Sequence, residues 1–116
     1  MMNVMAAMLV LGTIALDQRH QGTTVRASSG STIVVKLEAQ LGTGFGWKIA
    51  AIGKNLIQVG ESTIEDHGGG AGASELQVFR FRVNGKGRGV LRLIYVRPWE
   101  KDAKPAKTYS VTIVSK

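Results

Sequence analysis

Short runs in which apolar and polar side chains alternate are the feature that most constrains the fold of this chain. In one of them Leu91, Leu93 and Tyr95 share a side, and in another Ile33 and Val35 do. A period of two is typical of β-strands with one buried face. Glycine-rich or polar turns separate the runs, which cover residues 23–27, 31–38, 47–49, 57–59, 62–65, 77–83, 90–96 and 108–114. The pattern predicts an all-β, immunoglobulin-like antiparallel β-sandwich of seven to eight strands.

The length allows one domain with one hydrophobic core. The chain has 116 residues, which is too short for two domains. It contains no cysteine, so disulfides, thiol catalysis and cysteine-based zinc sites are excluded. The core alone must therefore hold the two sheets together, and Trp47 at the start of a strand suits a position between them.

The N-terminal segment resembles an export signal. Residues 1–16 carry no charge, and residues 4–11 are continuously apolar, which is too short for a membrane span but suits a signal peptide. Small residues precede Leu16, where a signal peptidase could cut. We predict a signal peptide at residues 1–15, a single domain at residues 16–116 and a periplasmic or secreted protein. No basic residue precedes the apolar run, which leaves a buried first strand or helix of the domain as the alternative.

The net charge of +7 raises the question of nucleic acid. Lys and Arg are scattered along the chain, and Arg80 and Arg82 alternate with Phe79 and Phe81, as on the solvated face of a strand. A nucleic-acid binder would need a contiguous basic face and would bind with strong salt dependence. We expect no nucleic-acid partner, although the charge can steer the protein toward an acidic one.

The sequence offers no catalytic or metal-binding constellation. His20 precedes most of the strand pattern, and His67 has no second histidine or carboxylate at metal-ligand spacing. Residues 61–66 group their carboxylates too loosely for paired acid–base work. The glycine-rich segments lack the Lys-Ser/Thr of a phosphate loop, and residues 85–89 join two strands, which favours a hairpin turn. We predict no catalytic residue, no metal, no cofactor and no enzymatic activity.

Three loops remain as candidates for binding: the first loop (residues 40–46), the second loop (residues 67–76) and the third loop (residues 97–107). Between one of these loops and the next, the chain runs to the far end of the sandwich and back. An immunoglobulin-like sandwich would therefore bring all three loops to one end. The third loop begins with Arg97, Pro98 and Trp99 directly after a strand. Proline ends ladder pairing, and Arg and Trp are enriched at interface hot spots. The spacing predicts a three-part binding edge.

The loops also carry short motifs in a fixed order. The first loop reads QLGTGFG and is followed by Trp47, the second contains Gly72-Ala73-Ser74, and the third begins Arg97-Pro98-Trp99. This order resembles chagasin and the related bacterial inhibitors of papain-like cysteine peptidases. That family has an Asn-Pro-Thr-Thr-Gly-aromatic loop followed by Trp, then Gly-x-Gly-Gly, then Arg-Pro-Trp. The resemblance extends over residues 23–114.

The resemblance implies a reversible, tight-binding inhibitor that occludes the peptidase cleft without being cleaved. Its partner would be a papain-like cysteine peptidase, and the free inhibitor would be monomeric. The first loop would enter the cleft with Thr43 near the catalytic Cys–His pair, the second would lie along the substrate groove, and the third would grip the opposite rim. The implied contact residues are Leu41, Gly42, Thr43, Gly44, Phe45, Gly72, Ala73, Ser74, Arg97, Pro98 and Trp99. Phe45 suits a supporting role inside the loop equally well.

Two departures from the family pattern concern affinity and target preference. Gln40-Leu41 stands where the family has Asn-Pro, which removes the fixed φ of proline, and Ser74-Glu75 stands where paired glycines are expected. The alternative function is an immunoglobulin-like adhesion or carbohydrate-binding module of the cell envelope. In that interpretation Trp99 and Phe45 would stack on sugar rings.

Overall fold

The computed structural model describes residues 12–66 and 74–116, which form two β-sheets packed face to face. Within this part of the chain there are nine strands, and the all-β, immunoglobulin-like sandwich is confirmed. The strands are β1 Thr13–Leu16, β2 Thr24–Ala27, β3 Thr32–Ala39, β4 Gly46–Ala51, β5 Leu56–Gln58, β6 Thr63–Glu65, β7 Glu75–Val83, β8 Gly87–Val96 and β9 Lys107–Ser115. Two 3-10 turns, Gln18–His20 and Leu41–Thr43, interrupt the connections. None of the helical segments described here is long and apolar enough to cross a membrane.

The two sheets differ in how they are built. Sheet one has the order β1-β3-β7, and both β5 and β6 pair with the other side of β7. Sheet two has the order β2-β9-β8-β4. The edge pairs β1–β3 and β2–β9 are parallel, and the other pairs are antiparallel. All eight predicted strands are present, and the count rises to nine because of β1.

Strand β1 lies largely inside the segment predicted to be a signal peptide. It pairs with β3 from Thr13 to Leu16, and the Thr32 amide donates to the Gly12 carbonyl at 2.8 Å. Leu16 is buried in the core. Cleavage before Leu16 would therefore remove three of the four residues of β1. The signal peptide stays a prediction, and its residues 1–11 lie outside the described part of the chain.

A chain that begins at Leu16 is expected to be less stable than a chain that begins at Gly12. It loses the backbone pairing of residues 13–15 with β3 and the packing of Ile14 against the core. These losses predict a free energy of unfolding lower by about 2–4 kcal/mol. Urea unfolding of the two chains measures the difference, and equal midpoints would show that residues 12–15 contribute nothing to stability.

The inward faces of the strands form one continuous core. Ile33, Phe81, Leu91 and Leu93 are completely buried, and Trp47 lies between the sheets as the sequence predicts. Burial raises the pKa of Tyr109 to about 12, and the nearby Asp17 carboxylate adds to the shift. The Tyr109 hydroxyl donates to the Asp17 carbonyl at 2.9 Å, which ties the segment after β1 to sheet two.

The hairpin turn predicted at residues 85–89 is wrong. Strand β7 belongs to sheet one and β8 to sheet two, so residues 84–86 cross between the sheets rather than joining paired strands. Beneath this crossing the buried Asn55 amide donates to the Gly87 and Ile113 carbonyls at 3.2 and 3.1 Å. We call this the distal end of the sandwich, formed by residues 28–31, 52–55 and 84–86.

Candidate functional site

The first loop, the third loop and Ser74, the described end of the second loop, lie together at the end of the sandwich opposite the distal end. The register shows this directly, because Ala39 pairs with Glu75, Gly46 with Val96, and Tyr95 with Lys107. The final residues of β3 and β8 and the first residues of β4, β7 and β9 are therefore level. Gly46, residues 75–76 and Lys107, taken as loop residues from the sequence, belong to strands. Ser74 of the second loop is described, whereas Gly72 and Ala73 lie outside the described residues.

The first loop is a single 3-10 turn. The Thr43 amide donates to the Gln40 carbonyl and the Gly44 amide to the Leu41 carbonyl, both at 3.0 Å. Gly44 then takes φ +90°, a left-handed conformation that favours glycine. The Thr43 hydroxyl donates to the Gln40 carbonyl and accepts from the Phe45 amide at 3.3 Å. This hydroxyl therefore holds the turn together from within.

Leu41 and Tyr95 anchor the first loop where the family has proline. The Leu41 side chain packs against the hydrophobic core. The Tyr95 hydroxyl accepts a hydrogen bond from the Gln40 amide at 2.8 Å, across from sheet two. The rigidity that a proline would supply through its ring is supplied here by side-chain packing and a buried hydroxyl.

Arg97 ties the third loop to the first. Its guanidinium carbon lies 4.2 Å from the centre of the Phe45 ring, and its Nε donates to the Thr43 carbonyl at 3.2 Å. The Phe45 ring stacks on Tyr95, with centroids 5.2 Å apart and planes 15° apart. Arg97 also forms an ion pair with Glu100 at 3.4 Å. Arg97 and Phe45, which the resemblance offers as contact residues, thus make contacts within the protein, and Phe45 supports its own loop.

Trp99 stands at the tip of a β-turn. The Glu100 amide donates to the Arg97 carbonyl at 3.0 Å, which places Pro98 and Trp99 at the two central positions. Proline is favoured at the first of these because its φ is already set. The Trp99 side chain is 64% exposed, the most exposed large apolar residue among those described. A core residue would not be left in this state.

The Trp99 ring rests on the backbone of Gly44. A β-carbon built on Gly44 would overlap the Cη2 atom of the indole and lie 3.0 Å from Cζ2 and Cζ3. Only glycine leaves this space free. Gly42, by contrast, is exposed and has no atom near a built β-carbon. Gly44 therefore couples the first loop to the third, in addition to allowing the turn.

Gln77 closes the sandwich beneath the loops, a role that sequence analysis missed. Its side-chain oxygen accepts from the Trp47 amide at 2.8 Å, and its side-chain nitrogen donates to the Trp47 carbonyl at 2.9 Å. The Trp47 indole nitrogen donates to the Glu38 carbonyl at 3.0 Å. These bonds join sheet one to sheet two. The sequence could have predicted that Gln77 is buried, because strand alternation places it on the same inward face as Phe79 and Phe81.

Replacing Gln77 with alanine is expected to destabilise the fold by about 2–4 kcal/mol, because it leaves the buried Trp47 amide and carbonyl without partners. The urea dependence of the free energy of unfolding measures this. Gln58→Ala is the matched control, since Gln58 is an exposed glutamine on β5 and should cost less than about 0.5 kcal/mol. Equal losses would contradict the role of Gln77.

An open groove of about 490 Å³ lies beside the first loop. Thr43, Phe45, Ser74, Arg97 and Lys107 are among the residues that line it, so all three loops contribute. Among residues 12–66 and 74–116 there is no group of three or more His, Cys, Asp or Glu that could hold a metal ion. The arrangement offers an exposed indole, a rigid turn and a polar groove for another macromolecule.

Residues 26–113 match the model of the chagasin family, described as "Chagasin family peptidase inhibitor I42". The chain is a member of the chagasin family. The match covers most of the sandwich and begins within β2, so β1 lies before it. No curated protein matches the sequence significantly.

Solved structures share the fold of this chagasin-family chain. The cysteine protease inhibitor EhICP2 from Entamoeba histolytica has a TM-score of 0.80 and 22% identity, covering 91% of this chain and 97% of that chain. Amebosin has a TM-score of 0.71 and 19% identity over 90% and 98% of the two chains. PbICP-C, solved in complex with falcipain-2, has a TM-score of 0.63 and 16% identity over 90% and 99%. At these identities the likeness shows the fold.

Proposed function

We propose that this chagasin-family protein inhibits papain-like cysteine peptidases by placing its three loops in and around the active-site cleft. The convergence of the first and third loops at one end, with Trp99 exposed at the tip, is the observation that carries the proposal. Similar inhibitors support the target class, because EhICP2 is a cysteine protease inhibitor and PbICP-C was solved with falcipain-2.

The first loop is suited to block a cleft without being cut. A peptidase needs its substrate backbone extended across the catalytic groove, whereas Leu41–Thr43 forms a closed 3-10 turn. Gly42 and Thr43 lie exposed at the tip, and Gly42 has no side chain to keep a partner's backbone away. The turn would fill the cleft near the catalytic cysteine without presenting a scissile bond in a reactive geometry.

The third and second loops would hold the flanks of the cleft. Trp99 offers a large rigid apolar surface for the rim of the peptidase, and Pro98 fixes its position in the turn. Ser74 and its neighbours in the second loop would follow the substrate groove, as the resemblance implies. The resemblance also assigns Arg97 to the rim, and its contacts with Thr43 and Phe45 hold the first loop in place.

Pre-organisation would give this edge its affinity. The first loop is fixed before binding by the Tyr95 hydroxyl, by Leu41 and by Arg97, so little loop entropy is lost in the complex. The substitution of Asn-Pro by Gln40-Leu41 is thus compensated by contacts within the fold. The alternative function, carbohydrate binding, needs the Phe45 ring to stack on a sugar. The structure disfavours it, because Tyr95 and Arg97 already contact that ring.

Titration of the purified protein against active papain tests the proposal. We expect residual activity to fall to zero near equimolar inhibitor, to return on dilution, and to be relieved by a competing substrate. Gel electrophoresis after long incubation should show the inhibitor uncut. Full papain activity at micromolar inhibitor, or steady cleavage of the first loop, would contradict the proposal.

We further propose that the protein has no enzymatic activity of its own and acts in the periplasm or outside the cell. Membership in an inhibitor family supports the first statement, and the continuous apolar run of residues 4–11 supports the second. Mass spectrometry of protein recovered from the periplasm or medium would give the mature N-terminus. Protein found in the cytoplasm with residues 1–11 intact would contradict export.

A further inference from the structure

Charge is segregated along the long axis of the sandwich. We take as the distal half the part of the fold beyond the pairings Val35–Phe79 and Leu91–Val111, toward the distal end. Among the described residues, this half contains no Asp or Glu and has seven basic side chains: Arg26, Lys54, Arg80, Arg82, Lys86, Arg88 and Lys116. The segments outside the described residues contain no Lys, Arg, Asp or Glu.

The half that carries the loops is nearly neutral. Seven of the eight carboxylates of the chain lie there, and Glu61 lies at the boundary, between β5 and β6. The remaining eight basic residues, among them Arg97 and Lys107, balance these carboxylates. The net charge of +7 therefore resides in the distal half, a separation that the scattered positions along the sequence conceal.

Five of the distal cations gather on and beside sheet two. Arg26 and Arg88 both pair with Val114 of β9, so they lie two strands apart, about 10 Å. Lys86 and Lys116 flank the Gly87–Ser115 pair, and Lys54 precedes Asn55, which bonds to the same two residues. All five side chains are exposed, and none forms an ion pair with a described residue. The strands of sheet two contain no Asp or Glu.

The shape of this surface favours a lipid bilayer over nucleic acid. Binding of single-stranded nucleic acid relies on exposed aromatic rings, and the one highly exposed aromatic side chain among the described residues, Trp99, lies at the other end. No helix of the described chain projects from this half to enter a groove of a duplex. Basic side chains lie on both sheets around the distal end, Arg80 and Arg82 on sheet one and Arg26 and Arg88 on sheet two, which suits an anionic membrane that meets this end of the sandwich.

The position of Gly12 points to the same end. Gly12 lines a groove of about 370 Å³ together with Arg26, Val114 and Lys116. Residues 1–11, which are uncharged and apolar from residue 4 onward, therefore join the fold beside the basic surface. In a chain that keeps residues 1–11, a basic patch beside an apolar segment is a combination that holds proteins on anionic membranes. In a chain cut before Leu16, the basic surface alone makes the contact. The two features are independent, since one is apolar sequence and the other is charge on folded strands.

We propose that the distal half is a docking surface for an anionic lipid bilayer, which holds the protein with its three loops pointing away from the membrane. Strand β3 runs from the distal end to the first loop, so a membrane at Arg26 and Lys116 leaves the loops at the far side of the molecule. A peptidase could then be bound while the inhibitor stays on the membrane.

Vesicle binding of the full chain tests this proposal. Vesicles of phosphatidylcholine are compared with vesicles that also contain phosphatidylglycerol, at low and high salt. We expect binding that requires phosphatidylglycerol and falls with salt. The variant Arg26→Gln/Arg88→Gln should bind roughly tenfold or more weakly. The matched control Lys101→Gln/Lys104→Gln removes two exposed cations of the third loop and should bind like the wild type.

Four results would overturn the proposal. Absence of vesicle binding would do so, as would equal, salt-insensitive binding to both vesicle types, which would assign the binding to residues 1–11 alone. Equal losses in the two double variants would show that overall charge acts rather than the distal half. Tighter binding to duplex DNA, lost in the Arg26→Gln/Arg88→Gln variant, would make this a nucleic-acid surface. Inhibition of papain is measured separately, so failure of either proposal leaves the other testable.

Discussion

Replacing Gly44 with alanine is expected to weaken inhibition of papain by more than about tenfold, or 1.4 kcal/mol. The new methyl group would occupy the space in which the Trp99 indole now rests, and the left-handed φ of +90° strains any residue with a β-carbon. The indole must leave the first loop, so both loops lose their arrangement. The inhibition constant and the change in tryptophan emission, to which Trp47 and Trp99 both contribute, measure the effect together.

Gly60→Ala is the control for backbone strain alone. Gly60 has φ +73° and open space around a built β-carbon, and it lies between β5 and β6, away from the loops. It should lose only the stability that backbone strain costs and inhibit like the wild type. Gly42→Ala, which meets no atom in the free protein, should leave Trp99 emission unchanged. If Gly44→Ala inhibits as well as Gly60→Ala, the contact with Trp99 has no part in function.

Replacing Trp99 with alanine is expected to weaken inhibition by more than about tenfold while the fold stays intact. The side chain is 64% exposed, so its loss removes little from the core and much from the binding edge. Ile57→Ala is the matched control, because Ile57 is 45% exposed on β5 in the distal half. Inhibition constants and urea midpoints are measured for both. Unfolding of Trp99→Ala, or unchanged inhibition, would contradict the assignment.

A double-mutant cycle tests whether Gly44 and Trp99 act through one contact. Once the indole is absent, a methyl group at position 44 no longer meets it, and only backbone strain remains. The double variant should therefore inhibit nearly as well as Trp99→Ala alone, and the two single losses should not add. Additive losses would show that the two residues act independently.

The strands were predictable because their information is local. The long strands β3, β7, β8 and β9 each have their own alternation, which predicts both the strand and its buried face. Strand β1 was the exception, because Thr13–Leu16 adjoins an uncharged apolar run and reads equally well as the end of a signal peptide. The edge pairing that makes it a strand is supplied by Thr32–Val35 of β3.

The order of the loops predicted that the first and third loops lie at one end of the sandwich, but not the contacts between them. Arg97 and Thr43 are 54 residues apart in the sequence. No local pattern predicts that the Arg97 guanidinium will bind the Thr43 carbonyl rather than a group on a partner protein. The resemblance offered Gly44 as a place for a peptidase to approach, whereas the Trp99 ring already lies against it. The separation of charge along the long axis of the sandwich was hidden for a related reason. The chain passes repeatedly from one end of the sandwich to the other, so residues that gather at one end are scattered along the sequence.

Amide hydrogen exchange of the inhibitor with and without active-site-blocked papain tests the central claim most directly, because it shows which end is bound. The account predicts slower exchange on complex formation at residues 40–46 and 97–100, with no change at the distal residues 28–31 and 84–86. Slower exchange confined to the distal residues, or none at the first and third loops, would contradict it.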